Sequence, residues 1–223
     1  MHGWGGNKKS FKCVQNFCSG EHKLVFLDLP GFGNEKPPPY AYGAKEYALW
    51  LAQKLRQMNI KEKVCLVGHS FGGRVAICYA SIFPEKVDRV CLVDSAGIKP
   101  KFKIKRTIKL IWFRFYKKCV NIRLCNKEKL KKFGSSDYKA LPPEMKPTFV
   151  KLVNEDLSLQ AKKVQAKTLI VWGEKDKDTP LYMAKRLNKL IKNSELIVFE
   201  KCGHFAYLER LPQFCALIDN FFD

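Results

Sequence analysis

Gly68-His69-Ser70-Phe71-Gly72 places a serine between two glycines, with the apolar run Val64 to Gly68 before it and a helical pattern, Gly72 to Ile82, after it. A serine at such a strand-to-helix turn is held in a strained conformation, and the flanking glycines are needed because side chains there would collide with neighbouring backbone. Its hydroxyl then projects above the sheet, beside a helix N-terminus that favours negative charge. A chance glycine-rich turn often matches the bare pattern, and it is the strand, the helix and the additional Gly73 that make this one informative.

A serine hydroxyl is a poor nucleophile until a base takes its proton, and that chemistry on this scaffold needs an acid and then a histidine later in the chain. Of the four histidines, His2 and His69 precede or adjoin Ser70, and His22 sits in the charged stretch Glu21-His22-Lys23. His204, in Cys202-Gly203-His204-Phe205, falls on a loop after the last predicted strand, at the carboxyl edge where open α/β sheets bind ligands. For the acid, Gly173 to Pro180 offers Glu174, Asp176 and Asp178, and spacing alone does not choose among them. Asp176 is favoured because it lies three residues past the strand-ending glycine and four before the proline that starts the next helix, with room to curve towards His204. Glu174 and Asp178 read as solvated or helix-capping residues. Such an acid would hold the imidazole in the right tautomer and stabilise the imidazolium.

These loops need elements to position them. Apolar β-type runs alternate with helical patterns, the signature of a mostly parallel sheet covered by helices on both faces. Strands are predicted over Lys23–Leu29, Val64–Gly68, Val87–Val93, Thr168–Trp172 and Glu195–Phe199. Helices are predicted over Ala44–Met58, Gly72–Ile82, Leu181–Ile191 and Gln213–Phe222, the last opened by Pro212 at a favoured first-turn position. Residues 1–96 and 167–223 are read as two parts of one core, and 97–166 as an inserted helical cap, because the rhythm fails there and no strand is legible. Within it Ile108, Ile111, Trp112 and Phe115 recur at helical spacing, flanked by Lys105, Arg106, Lys109, Lys117 and Lys118. Trp112 and Phe115 are the candidate substrate-pocket residues of a helix resting on the core. A helix lying on a membrane surface is the competing reading.

A chain of 223 residues can bury one sizeable core, and no apolar run approaches the ~18 residues of a membrane-spanning helix. Met1 to Lys12 is glycine-rich and basic without the apolar stretch of a secretory signal, so the cytoplasm is the expected location. Nine cysteines form no CxxC pair, and Cys65, Cys78 and Cys91 sit inside apolar runs, which argues for buried free thiols and against metal clusters. The net charge of +20 is concentrated between Lys99 and Lys139, where fifteen basic residues face Glu128 and Asp137. Only eight of the 41 basic residues are arginine, the residue suited to phosphate and base-edge recognition, so nucleic acid is a weak expectation. A small-molecule substrate, anionic or acyl, fits better, with peripheral membrane contact through the basic cap as a further option and no oligomeric state implied.

The chain resembles the α/β-hydrolase fold superfamily through His2-Gly3-Trp4-Gly5-Gly6, Asp28-Leu29-Pro30-Gly31-Phe32-Gly33, Gly68 to Gly73, Gly173 to Pro180 and Gly203-His204, in that order. Within it the chain is most similar to the capped esterase and carbon–carbon-bond hydrolase group. The resemblance implies a Ser70, Asp176 and His204 triad, an oxyanion hole from the backbone N–H groups of Trp4 and Phe71, and no metal or organic cofactor. Serine at the elbow separates it from the haloalkane dehalogenase and epoxide hydrolase branches, which use aspartate there. In that superfamily His2-Gly3 follows directly on a central strand, lying between those equivalent to Lys23–Leu29 and Val64–Gly68. Here only Met1 precedes it, so the expectation is a sheet with N-terminal strands missing and an unpaired gap, from a fragment or a misplaced start in preference to a degenerate member. Three functions are open: an acyl-enzyme esterase or thioesterase, a carbon–carbon-bond hydrolase of a diketone, and a non-catalytic binding protein on the same fold.

Overall fold

A computed structural model describes residues 1–15, 23–99 and 136–223. Four strands, β1 (Val64–His69), β2 (Val87–Val93), β3 (Lys167–Gly173) and β4 (Ser194–Phe199), form one sheet in the order β1-β2-β3-β4, with every pair parallel. The main helices are α1 (Ala44–Gln57), α2 (Phe71–Ile82), α3 (Lys146–Asn154), α4 (Tyr182–Leu190) and α5 (Leu211–Phe222). α2 lies in the crossover from β1 to β2, and α4 in that from β3 to β4, as parallel strands require.

Because side chains alternate across a strand, each central strand feeds two cores. Leu66, Val90, Leu92, Ile170 and Trp172 pack on one face with α1, α2 and α4. Cys91, Val93, Leu169 and Val171 pack on the other with Phe214, Cys215 and Ile218 of α5 and with Phe11 and Val14. Burial on both faces explains why Val90–Val93 of β2 and Leu169–Trp172 of β3 read as unbroken apolar runs.

Two expectations need correction. Lys23–Leu29 is not a strand: it carries no ladder, because no described strand lies beside it. The outer edge of β1 meets Met1 instead, whose amino group donates to the Val67 carbonyl at 2.6 Å and whose carbonyl accepts from His69 N–H at 3.1 Å. Cys65 is exposed rather than buried, near the start of this outer strand, with its Sγ 3.9 Å from Asp88 Oδ2. Cys78 and Cys91 are buried and free, as expected.

The described part of 97–166 is helical, comprising Ser136–Ala140, Pro143–Met145, α3 and Ser158–Ala161. Trp112, Phe115 and the lysine-flanked stripe around them lie outside the described residues. No described helix is long and apolar enough to cross a membrane.

Candidate active site

In the sheet register His69 pairs with Val93, Val93 with Val171, and Gly173 with Phe199, so all four strands end at one edge. Each strand hands its next residue to that edge. Backbone bonds stitch the loops together: Ser70 N–H to Val93 O, Asp94 N–H to Val171 O, Glu174 N–H to Phe199 O and Lys175 N–H to Cys202 O.

Ser70 has φ 49° and ψ −109°, a conformation uncommon for a residue with a side chain. The turn closes so tightly that a Cβ on Gly68 would lie 2.5 Å from Gly72 O, and one on Gly72 would lie 2.5 Å from Met1 O. Glycine at both positions is therefore required by the close approach of backbone, as the sequence pattern suggested.

His204 and Asp176 meet directly. The His204 Nδ1 lies 2.8 Å from Asp176 Oδ2. Thr179 Oγ1 donates to that same oxygen at 2.6 Å, while Asp176 Oδ1 accepts from the N–H groups of Asp178 and Thr179 at 2.8 and 2.9 Å. Burial alone would raise the Asp176 pKa, but the bonds from His204 and Thr179 outweigh it and hold the carboxyl below the usual range. Burial would likewise lower His204, and the Asp176 carboxylate reverses this, so the imidazole titrates above its ordinary value. The other two acids lie elsewhere. Glu174 accepts from Lys201 N–H, and Asp178 is exposed at the cavity rim.

A cavity of about 920 Å³ opens over this edge, and Ser70, His204, Trp4 and Phe71 all line it. The N–H groups of Trp4 and Phe71 have no acceptor among the described residues. Trp4 is wedged among Phe32, Phe71 and Phe149, with ring centroids 4.8, 5.3 and 5.1 Å away, which fixes the loop carrying its N–H. The remaining wall is largely apolar, and Leu141, Phe149, Leu152 and Val153 bring the inserted segment into it.

Three residues near this edge were given no role from the sequence. His69 is driven down to about 4 by burial, so it is neutral, and its Nε2 donates to the His204 carbonyl at 2.7 Å. His2 is buried and neutral too; it accepts from Leu29 N–H at 3.0 Å and so joins the Trp4 loop to the Asp28–Gly33 loop. Asp94 is fully buried and accepts from Gly173 N–H at 2.8 Å and Ala206 N–H at 3.1 Å, tying the acid loop to the histidine loop. Its one signal was an acidic residue directly after the apolar run Val90–Val93. Asp176, Asp178 and His204 present ligand atoms within 4.8 Å of one another. Four of the bonds just described already occupy Asp176, which makes this cluster an acid–base pair rather than a cation cradle.

A strained serine, a carboxylate-bound histidine and two free N–H groups around one cavity are what a hydrolase of this architecture needs. The chain belongs to the alpha/beta hydrolase fold family, whose model matches residues 1–121 and 127–211, and it is a hydrolase of that fold. It is 26% identical over 232 residues to a 2-hydroxy-6-oxo-2,4-heptadienoate hydrolase of Pseudomonas putida, covering 95% of this chain and 82% of that protein. It is 27% identical over 241 residues to Lipase 1 of Psychrobacter immobilis, covering 96% of this chain and 72% of the lipase. A crystal structure of a meta-cleavage product hydrolase variant superposes with a TM-score of 0.73 at 24% identity, covering 100% of this chain and 89% of that one.

Proposed function

We propose that this chain is a serine hydrolase that cleaves a small carboxylic ester or thioester through an acyl-enzyme on Ser70. The observation that carries the reading is the 2.8 Å contact between His204 and Asp176 on the cavity that Ser70 also lines. With Nδ1–H donated to Asp176, His204 Nε2 is left as the lone-pair nitrogen that accepts the serine proton as Oγ attacks the carbonyl carbon. The carbonyl oxygen becomes an oxyanion, for which the Trp4 and Phe71 N–H groups are the donors; one such donor is worth roughly 3 kcal/mol at the transition state. Collapse of the tetrahedral intermediate expels the alcohol or thiol, protonated by His204, and water then releases the acid by the same route in reverse.

Likeness to the heptadienoate hydrolase favours a second reading, carbon–carbon-bond hydrolysis of a diketone-type substrate, for which the same proton relay would serve. The inserted segment 97–166 acts in either case as a cap, supported by the six described residues it contributes to the cavity wall. Four of the six free cysteines among the described residues are buried, which suits a reducing compartment, and the cytoplasm is the proposed location. A fluorophosphonate probe tests the mechanism: it labels wild type, and labelling is lost in Ser70→Ala and strongly slowed in His204→Ala. Equal labelling of wild type and Ser70→Ala removes the mechanism and leaves a non-catalytic member of the fold.

A further inference from the structure

Arg74 lies four residues beyond Ser70 on α2, one helical turn away, or about 6 Å along the axis. Helical side chains lean towards the helix N-terminus, so the guanidinium is carried back towards the nucleophile rather than away from it. Only 8% of the residue is exposed, and it lines the same cavity as Ser70 and His204. It is the only lysine or arginine among the described residues that do so.

A guanidinium offers five N–H donors, and burying one without acceptors is costly. Among the described residues Arg74 makes a single long hydrogen bond, 3.4 Å to the Glu155 carbonyl. The two carboxylates that bear on it electrostatically are engaged elsewhere. Glu155 accepts from Ala44 N–H at 2.9 Å, and Asp156 accepts from Ser158 and Lys99 N–H groups at 2.8 and 3.2 Å. Neither forms an ion pair with Arg74 within 4 Å. The result is a charged fork in the wall of an otherwise mainly apolar cavity, with most of its donors unspent among the described residues.

We propose that Arg74 is an anion subsite, and that the substrate is a monocarboxylate whose scissile carbonyl lies a short chain of carbons from the carboxylate. A single guanidinium matches a singly charged, planar carboxylate in a two-bond fork. A phosphate dianion would call for a second cation, and the described wall provides none. This deepens the hydrolase reading and rests on it for the scissile carbonyl: Ser70 reads that carbonyl, Arg74 reads the far end, and the apolar wall holds the carbons between. The charge recognised is local, in contrast to the diffuse field of the basic segment.

The test compares the mono-p-nitrophenyl ester of glutarate with the same ester methylated at its far carboxylate, in wild type, Arg74→Gln and Arg74→Lys. A charged hydrogen-bond pair corresponds to about 10–150-fold. Wild type should favour the free acid in kcat/KM, Arg74→Gln should lower that preference about 30-fold chiefly through KM, and Arg74→Lys should recover part of it. Equal loss on both esters makes Arg74 a structural residue, and an unchanged preference makes it irrelevant; either result overturns the proposal. Should Arg74→Gln fail to fold, binding to the Ser70→Ala chain decides: monomethyl glutarate should bind at least tenfold tighter than dimethyl glutarate, and equal binding overturns the subsite. Selective binding by Ser70→Ala with no hydrolysis of either ester by wild type would sustain the subsite and discard the hydrolase reading.

Discussion

Replacing Asp176 with asparagine changes one atom and reverses the direction of a hydrogen bond. The new Oδ1 keeps its two backbone donors, Asp178 and Thr179, at 2.8 and 2.9 Å, which orients the amide so that Nδ2 takes the place of the oxygen facing His204. An NH2 donates, so His204 Nδ1 must become the acceptor and its proton moves to Nε2. That is the wrong tautomer for accepting a proton from Ser70, and the loss of the carboxylate also removes stabilisation of the imidazolium. Where a serine hydrolase's histidine has been forced into this tautomer, kcat falls about 10⁴-fold, or roughly 5.5 kcal/mol at 1.36 kcal/mol per decade. The pH profile carries an independent signature. His204 is raised above its ordinary value by Asp176, so wild-type kcat/KM should fall as pH drops through that raised pKa and the base becomes protonated. In Asp176→Asn, only the weaker pull of Asp94 and Asp178 opposes burial, and the acid limb of the residual activity should move to lower pH. Steady-state hydrolysis of a p-nitrophenyl ester between pH 5 and 9 measures both, with thermal melting to show that the variant is folded. Activity within tenfold of wild type refutes the reasoning, as does an acid limb that moves upward. A larger loss in Asp178→Asn than in Asp176→Asn refutes the choice of acid.

Asp94→Asn should behave differently, since asparagine retains one of the two acceptors used by Gly173 and Ala206: stability should drop by about 1–3 kcal/mol in urea melts, with activity within about tenfold of wild type. A collapse in activity with stability intact would make Asp94 the acid partner instead. Trp112→Ala should change acyl-chain preference if 97–166 is a cap, while charge reversal at Lys101, Lys103 and Lys105 changes only the salt dependence of kcat/KM, because attraction at that range is screened beyond about 10 Å at 0.1 M salt. A flat substrate profile in Trp112→Ala together with lost binding to anionic vesicles would favour the membrane-surface helix.

How much was legible depended on whether the signal was local. β1 to β4 and their helices were readable because burial on one or both faces writes a period into the sequence, and glycine and proline mark the breaks. The elbow was readable because the backbone contacts of Gly68 and Gly72 leave no room for a Cβ. Position along the chain also placed Asp176 near His204, although Glu174 and Asp178 could be set aside only by seeing which carboxylate is buried. Lys23–Leu29 has a strand's composition and lacks a strand's partner, and pairing is a property of the fold rather than of the segment. Arg74 reads as an ordinary helical cation, and only the packing of α2 under the inserted segment turns it into a buried group on the cavity.

Asp94 and Asp176 divide the acidic work of the site between them. Burial, helped by the nearby Asp176 charge and opposed by the bonds from Gly173 and Ala206, pushes the Asp94 carboxyl up to about 8. Asp176 has a second set of donors, His204 and Thr179, that stabilise its anion, so at neutral pH the negative charge rests on the carboxyl in contact with Nδ1. The asymmetry matters for His204. Two ionised carboxylates beside one imidazole would raise its pKa further and leave the base protonated at neutral pH, where it could not accept a proton from Ser70. A mostly neutral Asp94 can still accept the N–H groups of Gly173 and Ala206, and so brings the acid loop to the histidine loop without adding that second charge. Pairs of titratable groups whose surroundings drive their pKa values apart mark the acid–base assignments of a site. That criterion supports the proposal of Asp176 as the acid partner of His204, with Asp94 as the joint between the two loops.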